Sequence, residues 1–113
     1  VYTESGESII LCGANSYTQK YYFNNRFKLL PDTIKDELKI MCVSFTEDAG
    51  GILTLEFDPL GNLKFGVRVD DGDFYFDEIE SGLKIGRYQR NKKELLSQLE
   101  LFYKVMFLGK SID

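Results

Sequence analysis

The sequence predicts an α+β fold, with one antiparallel sheet of about five strands and two helices in the order ββαβββα. Three observations lead there. The chain has 113 residues, room for a single globular domain spanning 1–113. Leu, Ile, Val and Phe make up about a third of it, enough to build a core. Along its length the apolar residues recur first at helical spacing, then in strict alternation, then at helical spacing again.

Ile9, Ile10, Leu11, Cys12, Gly13 and Ala14 form an apolar run, Asn15 and Ser16 supply turn chemistry, and Tyr21, Tyr22 and Phe23 follow as an aromatic run. This pattern reads as a first hairpin. Beyond Asn24 and Asn25, the residues Ile34, Leu38, Met41, Cys42, Phe45 and Ala49 fall on one helical stripe, predicting a helix over 32–48. Pro31 or Asp32 suits its start, Asp32 places negative charge in the first turn, and Gly50 with Gly51 suits its stop. A strand from Ile40 to Phe45 is the rival reading, because Ile40 and Val43 lie off the stripe.

From Gly51 the period becomes two. Leu53, Leu55 and Phe57 alternate with Thr54 and Glu56, and Leu63, Phe65, Val67 and Val69 alternate with Lys64, Gly66 and Arg68. A hairpin loop of Asp58, Pro59, Leu60, Gly61 and Asn62 sets Leu55 opposite Phe65, Leu53 opposite Val67 and Glu56 opposite Lys64. A second hairpin at Asp71 and Gly72 sets Val69 opposite Phe74, Val67 opposite Phe76 and Arg68 opposite Tyr75. Either hairpin, slipped by one residue, would turn its apolar row to the wrong face.

The last segment, Gln89 to Leu108, reads as one long helix with Leu95, Leu96, Leu99, Phe102, Tyr103 and Met106 on one stripe and Gly109 as its stop. Near its end Leu101, Phe102, Tyr103, Val105, Met106, Phe107 and Leu108 are apolar almost all round. Such a circumference has to be covered, either by the rest of the domain or by a second subunit. Phe102, Tyr103, Met106, Phe107 and Leu108 are therefore the interface candidates for a homo-oligomer or a protein partner. The element order is also that of profilin-like and longin-like modules, a fold analogy that carries no function.

Composition excludes several chemistries. With no histidine, imidazole-based triads, metal sites and proton shuttles are not available. A net charge of −4 argues against a nucleic-acid binder. The basic stretch Lys84, Arg87, Arg90, Lys92 and Lys93, with Tyr88 interleaved, reads better as the solvated start of the last helix answering the acidic run before it. The start, Val1 to Ser8, is polar, and no window is apolar enough to span a bilayer, so neither secretion nor membrane insertion is expected. Cys12 and Cys42 read as reduced, buried, small hydrophobes of a cytoplasmic protein.

No catalytic constellation emerges. Without a histidine base neither cysteine makes a nucleophile. Glu47 and Asp48 sit at a helix end with no carboxylate fixed opposite, and Gly50–Gly51 lacks the rest of a phosphate loop. The acidic run Asp70, Asp71, Asp73, Asp77, Glu78 and Glu80 offers Asp70, Asp71 and Asp73 as weak metal candidates. Gly72 and Phe74 stand where an EF-hand loop needs oxygen ligands, so a solvated turn guarding a hairpin tip is the stronger reading. Tyr17, Tyr21 and Tyr22, with Phe23 and Phe27 nearby, could line a ligand groove, although core packing accounts for Tyr21 and Phe23.

Leu11-Cys12-Gly13-Ala14, Lys20-Tyr21-Tyr22-Phe23-Asn24, Ile40-Met41-Cys42-Val43, Phe45-Thr46-Glu47-Asp48, Gly50-Gly51 and Phe102-Tyr103 together give the chain a likeness over most of its length. It resembles a family of short, uncharacterised proteins from anaerobic Gram-positive bacteria. That resemblance implies a cytoplasmic single-domain protein and no activity, so no catalytic residue and no cofactor carries over. Two functions remain: a non-enzymatic protein-interaction module able to self-associate, and a small-molecule or metal-binding regulatory domain.

Overall fold

The computed structural model describes residues 8–110, so the expectation about the polar start falls mostly outside the described residues. Its strands are β1 (Ile9–Asn15), β2 (Lys20–Phe23), β3 (Ile52–Phe57) and β4 (Leu63–Arg68), and its helices are α1 (Asp32–Ala49), α2 (Glu78–Asn91) and α3 (Lys93–Met106). The fold is α+β, with one antiparallel four-stranded sheet in the order β2-β1-β3-β4.

Alternation places Leu53, Leu55 and Phe57 on one face of β3, and the β3–β4 register is the one the sequence implies: Leu53 opposite Val67, Leu55 opposite Phe65, Glu56 opposite Lys64. β1 joins the same layer, with Cys12 opposite Leu55 and Ala14 opposite Leu53. A bulge between Ile10 and Cys12 gives β1 one residue more than β3 there, and both Leu11 and Cys12 are buried. All three helices pack on this face. Helix α1 buries Leu38, Met41, Cys42, Phe45 and Ala49, the expected stripe, and leaves Ile40 exposed, so residues 40–45 are helix rather than strand. Its end is also the expected one: Gly50 takes φ 85°, a left-handed value that favours glycine.

Two expectations are corrected. The turn at Asp71 and Gly72 forms, with Gly72 at φ 82°, but among the described residues no fifth strand follows it. Asp73 accepts the N–H of Tyr75 at 2.9 Å and the hydroxyl of Tyr17 at 2.5 Å, which turns the chain away from β4. Phe76 then lies against Gly51, where a Cβ would stand 3.0 Å from its ring, and the Asp77 N–H donates to the Ala49 carbonyl at 2.9 Å. The chain is thereby fastened to the end of α1 instead of the edge of β4.

The single terminal helix is in fact two. Helix α2 begins at Glu78 rather than Gln89, capped by Asp77, whose Oδ1 accepts from the Glu80 N–H at 2.9 Å. The break falls at Lys92, whose backbone (φ −110°, ψ 21°) leaves helical geometry. Packing explains it. Tyr88 donates its hydroxyl to the Met41 carbonyl at 2.9 Å and Lys84 meets Asp48 at 2.9 Å, binding α2 to α1. Tyr103 of α3 stacks on Phe57 at 4.2 Å between ring centres, at the far end of the sheet, and a straight helix would not serve both contacts. Among the described residues no helix is long and apolar enough to cross a membrane.

Candidate functional site

The tyrosines of the first hairpin do not converge. In β2, alternation sends Tyr21 towards the helices and Tyr22 to the opposite face, where it is 55% exposed. Tyr22 borders a shallow concavity of about 410 Å³ with Ile10, Gly13, Ile52 and Thr54. Tyr21 lines a cleft of about 290 Å³ between the hairpin and α1, with Lys39, Val43, Thr46 and Glu47 across from it. Its hydroxyl is buried without a hydrogen-bond partner among the described residues. Burial, helped by the neighbouring Cys12 and Cys42 thiols, pushes that hydroxyl well above its ordinary pKa. The two sulfurs lie 3.8 Å apart, both free and buried, and contact with Cys12 together with burial raises the Cys42 thiol. A thiol held protonated and out of water, as Cys42 is, is a poor nucleophile.

Tyr17, at the tip of the hairpin, reaches the acidic turn. Its hydroxyl donates to Asp73 and accepts the Asp70 N–H at 3.1 Å. The bond to Asp73 raises the Tyr17 hydroxyl and lowers the Asp73 carboxyl. Asp73 is thus committed to Tyr17 and to the Tyr75 N–H, while Asp70 joins the turn through its backbone. Among the described residues no group of three or more cysteine and carboxylate side chains is placed to hold a metal ion.

The terminal-helix candidates divide. Tyr103 and Phe107 stack on each other at 5.1 Å and on Phe27 at 6.2 and 4.8 Å, and Phe102 is half-buried beside Phe107. Met106 and Leu108 stay exposed. A larger exposure lies elsewhere, beginning at Phe74 and Tyr75, where the alternation implied a half-buried strand. Phe74 is 93% exposed, Tyr75 97%, Ile79 77% and Leu83 54%. On α2, Ile79 and Leu83 form a stripe opposite Ser81, Ile85 and Tyr88, which face inward. The signal was present in the sequence: Asp77 with Glu80 three residues on is a helix-start pattern, and a helix from there turns Ile79 and Leu83 outward together.

Helix α2 also carries an ordered charge pattern. Asp77, Glu78 and Glu80 stand at its start, and Arg87 and Arg90 in its second half, with Lys92 and Lys93 just beyond. Arg87 meets Glu80 at 3.1 Å and Lys92 meets Glu37 at 2.5 Å, whereas Glu78, Arg90 and Lys93 form no ion pair among the described residues. No curated protein and no solved structure matches the chain. The likeness read from its segments does correspond to a family model: residues 8–111 match the family of unknown function DUF6145, and the chain belongs to that family.

Proposed function

We propose that the chain is a non-enzymatic protein-interaction module that docks a partner through residues 74–83. The observation that carries this reading is the exposure of Phe74, Tyr75, Ile79 and Leu83 on a segment that is itself firmly held. Each such side chain left in water forgoes roughly 1.5–3 kcal/mol of burial free energy, and large apolar exposures on a folded chain mark interaction surfaces. The bonds at Asp73, the seat of Phe76 on Gly51 and the Asp77 to Ala49 bond keep the segment pre-organised. Docking then orders little that is not already ordered. The buried, free thiols Cys12 and Cys42 fit a reducing cytoplasm as the place where this happens.

A photo-crosslinking amino acid placed at Tyr75 or Leu83, and at Lys64 on the opposite face of the sheet as a control, tests the reading in the producing cell. Discrete adducts from positions 75 and 83, absent from 64, are expected. Adducts from none of the three, or equally from all, would overturn it.

A further inference from the structure

Ile79, Leu83, Gly86 and Arg90 recur at helical spacing along the outer side of α2. We propose that the partner is a second copy of this chain, the two α2 helices packing antiparallel with Leu83 of each over Gly86 of the other. The inference rests on residues 74–83 being a docking face and adds what docks there.

Charge argues for a copy rather than a foreign protein. Glu78 lies at the start of α2, Arg90 in its last turn and Lys93 just beyond it, and among the described residues none of the three forms an ion pair. A reversed second helix sets each Glu78 beside the cations of the other copy, and two-fold symmetry makes this contact twice. The helix dipoles oppose in the same arrangement. A surface carrying both signs head to tail is complementary to itself, whereas a parallel pairing would bring like charges together.

Shape agrees. Among the described residues beyond its own helical turn, a Cβ at Gly82 would meet nothing within 4 Å, and one at Gly86 would meet the Arg90 guanidinium, at 3.2 Å. That exposed side chain is free to swing from Gly86 towards the incoming Glu78, opening a notch for Leu83. With Leu83 over Gly86, Ile79 falls on the aliphatic stem of Arg90. Phe74 and Tyr75 then come beside the cationic end of the other helix, where ring faces attract Arg and Lys. The two rings offer on the order of 300 Å², a substantial part of the ~800 Å² per partner that a stable interface buries.

Sedimentation velocity on the full chain across micromolar concentrations provides the test. A species of twice the chain mass is expected, weakening as salt rises. Leu83→Asp should remove it while leaving the circular dichroism spectrum unchanged. Glu78→Arg should weaken it about tenfold, and Arg90→Glu added to Glu78→Arg should restore it, because only the antiparallel contact exchanges those two charges. A monomer at every concentration, a dimer indifferent to Leu83→Asp, or a double variant no better than Glu78→Arg overturns the pairing. If the chain is monomeric yet position 83 crosslinks to a different protein, self-pairing falls and the docking face stands; if nothing crosslinks there, both fall.

Discussion

Asp58 closes the β3–β4 hairpin with its own side chain. Its Oδ1 accepts from the N–H groups of Leu60 and Asn62, both at 2.9 Å, and its Oδ2 lies 3.7 Å from the Lys64 ammonium. Desolvation works to raise this carboxyl, but the bonds from Asn62 and Leu60 and the charge of Lys64 outweigh it, and the pKa ends below its ordinary value. Asp73 is lowered as well, first by the Tyr17 hydroxyl and then by the Tyr75 N–H. A carboxyl lowered on folding contributes stability that is fully present above its unfolded pKa of about 3.9 and is lost as pH falls through the folded value. The melting temperature should therefore hold level from neutral pH to about 5 and drop below about 4. Asp58→Ala should cost about 1 kcal/mol at neutral pH through the lost turn bonds and make the acid limb shallower. An acid limb as steep as that of the parent chain would contradict this account. Asp58 as a turn residue was legible from Asp-Pro-Leu-Gly-Asn, whereas the Tyr17 to Asp73 bond was not, since it joins a hairpin tip to a segment 56 residues away.

Residues 69–77 show one turn leading to a different element from the one its pattern implies. Val69, Phe74 and Phe76 have the alternation of a strand after an Asp-Gly turn, yet Phe74 is 93% exposed and Phe76 packs against Gly51 and the core. A strand places Phe74 and Phe76 on one face, so substituting either would have similar effects. The observed path separates them: Phe76→Ala should destabilise by about 2 kcal/mol, and Phe74→Ala by less than about 0.5 kcal/mol. Urea unfolding at a concentration low enough to keep the chain monomeric measures both, and equal losses would restore the strand. Local propensity did not decide here because Asp73 had two strong competitors for its oxygens and the end of α1 offered a backbone acceptor at Ala49. The same limit applies to α2. Gly82 and Gly86 weaken its helical signal, and packing of Tyr88 and Lys84 on α1 holds it nonetheless.

Across the whole molecule the parts are joined at the end of the sheet by rings from distant segments. Phe27, Phe57, Tyr103 and Phe107 stack with centroid separations of 4.2 to 6.2 Å. Tyr103 lies in the middle, so Tyr103→Ala opens a cavity touching the short helical turn Asn25–Phe27, β3 and the residues after α3 at once. A loss of about 3 kcal/mol or more is expected, read as one cooperative shift in thermal unfolding. A small loss confined to the terminal helix would mean that α3 is an appendage.

By itself the sequence determined the α+β class, the first hairpin, the start and stop of α1 with its buried stripe, and the β3–β4 register. Each of these depends on contacts that are close along the chain, where periodicity and turn chemistry leave one consistent face to bury. Tertiary structure alone decided the missing strand, the break at Lys92 and the division of the apolar surplus after Leu101 between an internal stack and exposed Met106 and Leu108. Those outcomes turn on which of several apolar segments packs best on the core in space, and spacing along a chain does not encode that competition. The exposed face of α2 is its by-product: once Ser81, Ile85 and Tyr88 are turned inward, helical geometry leaves Ile79 and Leu83 in water.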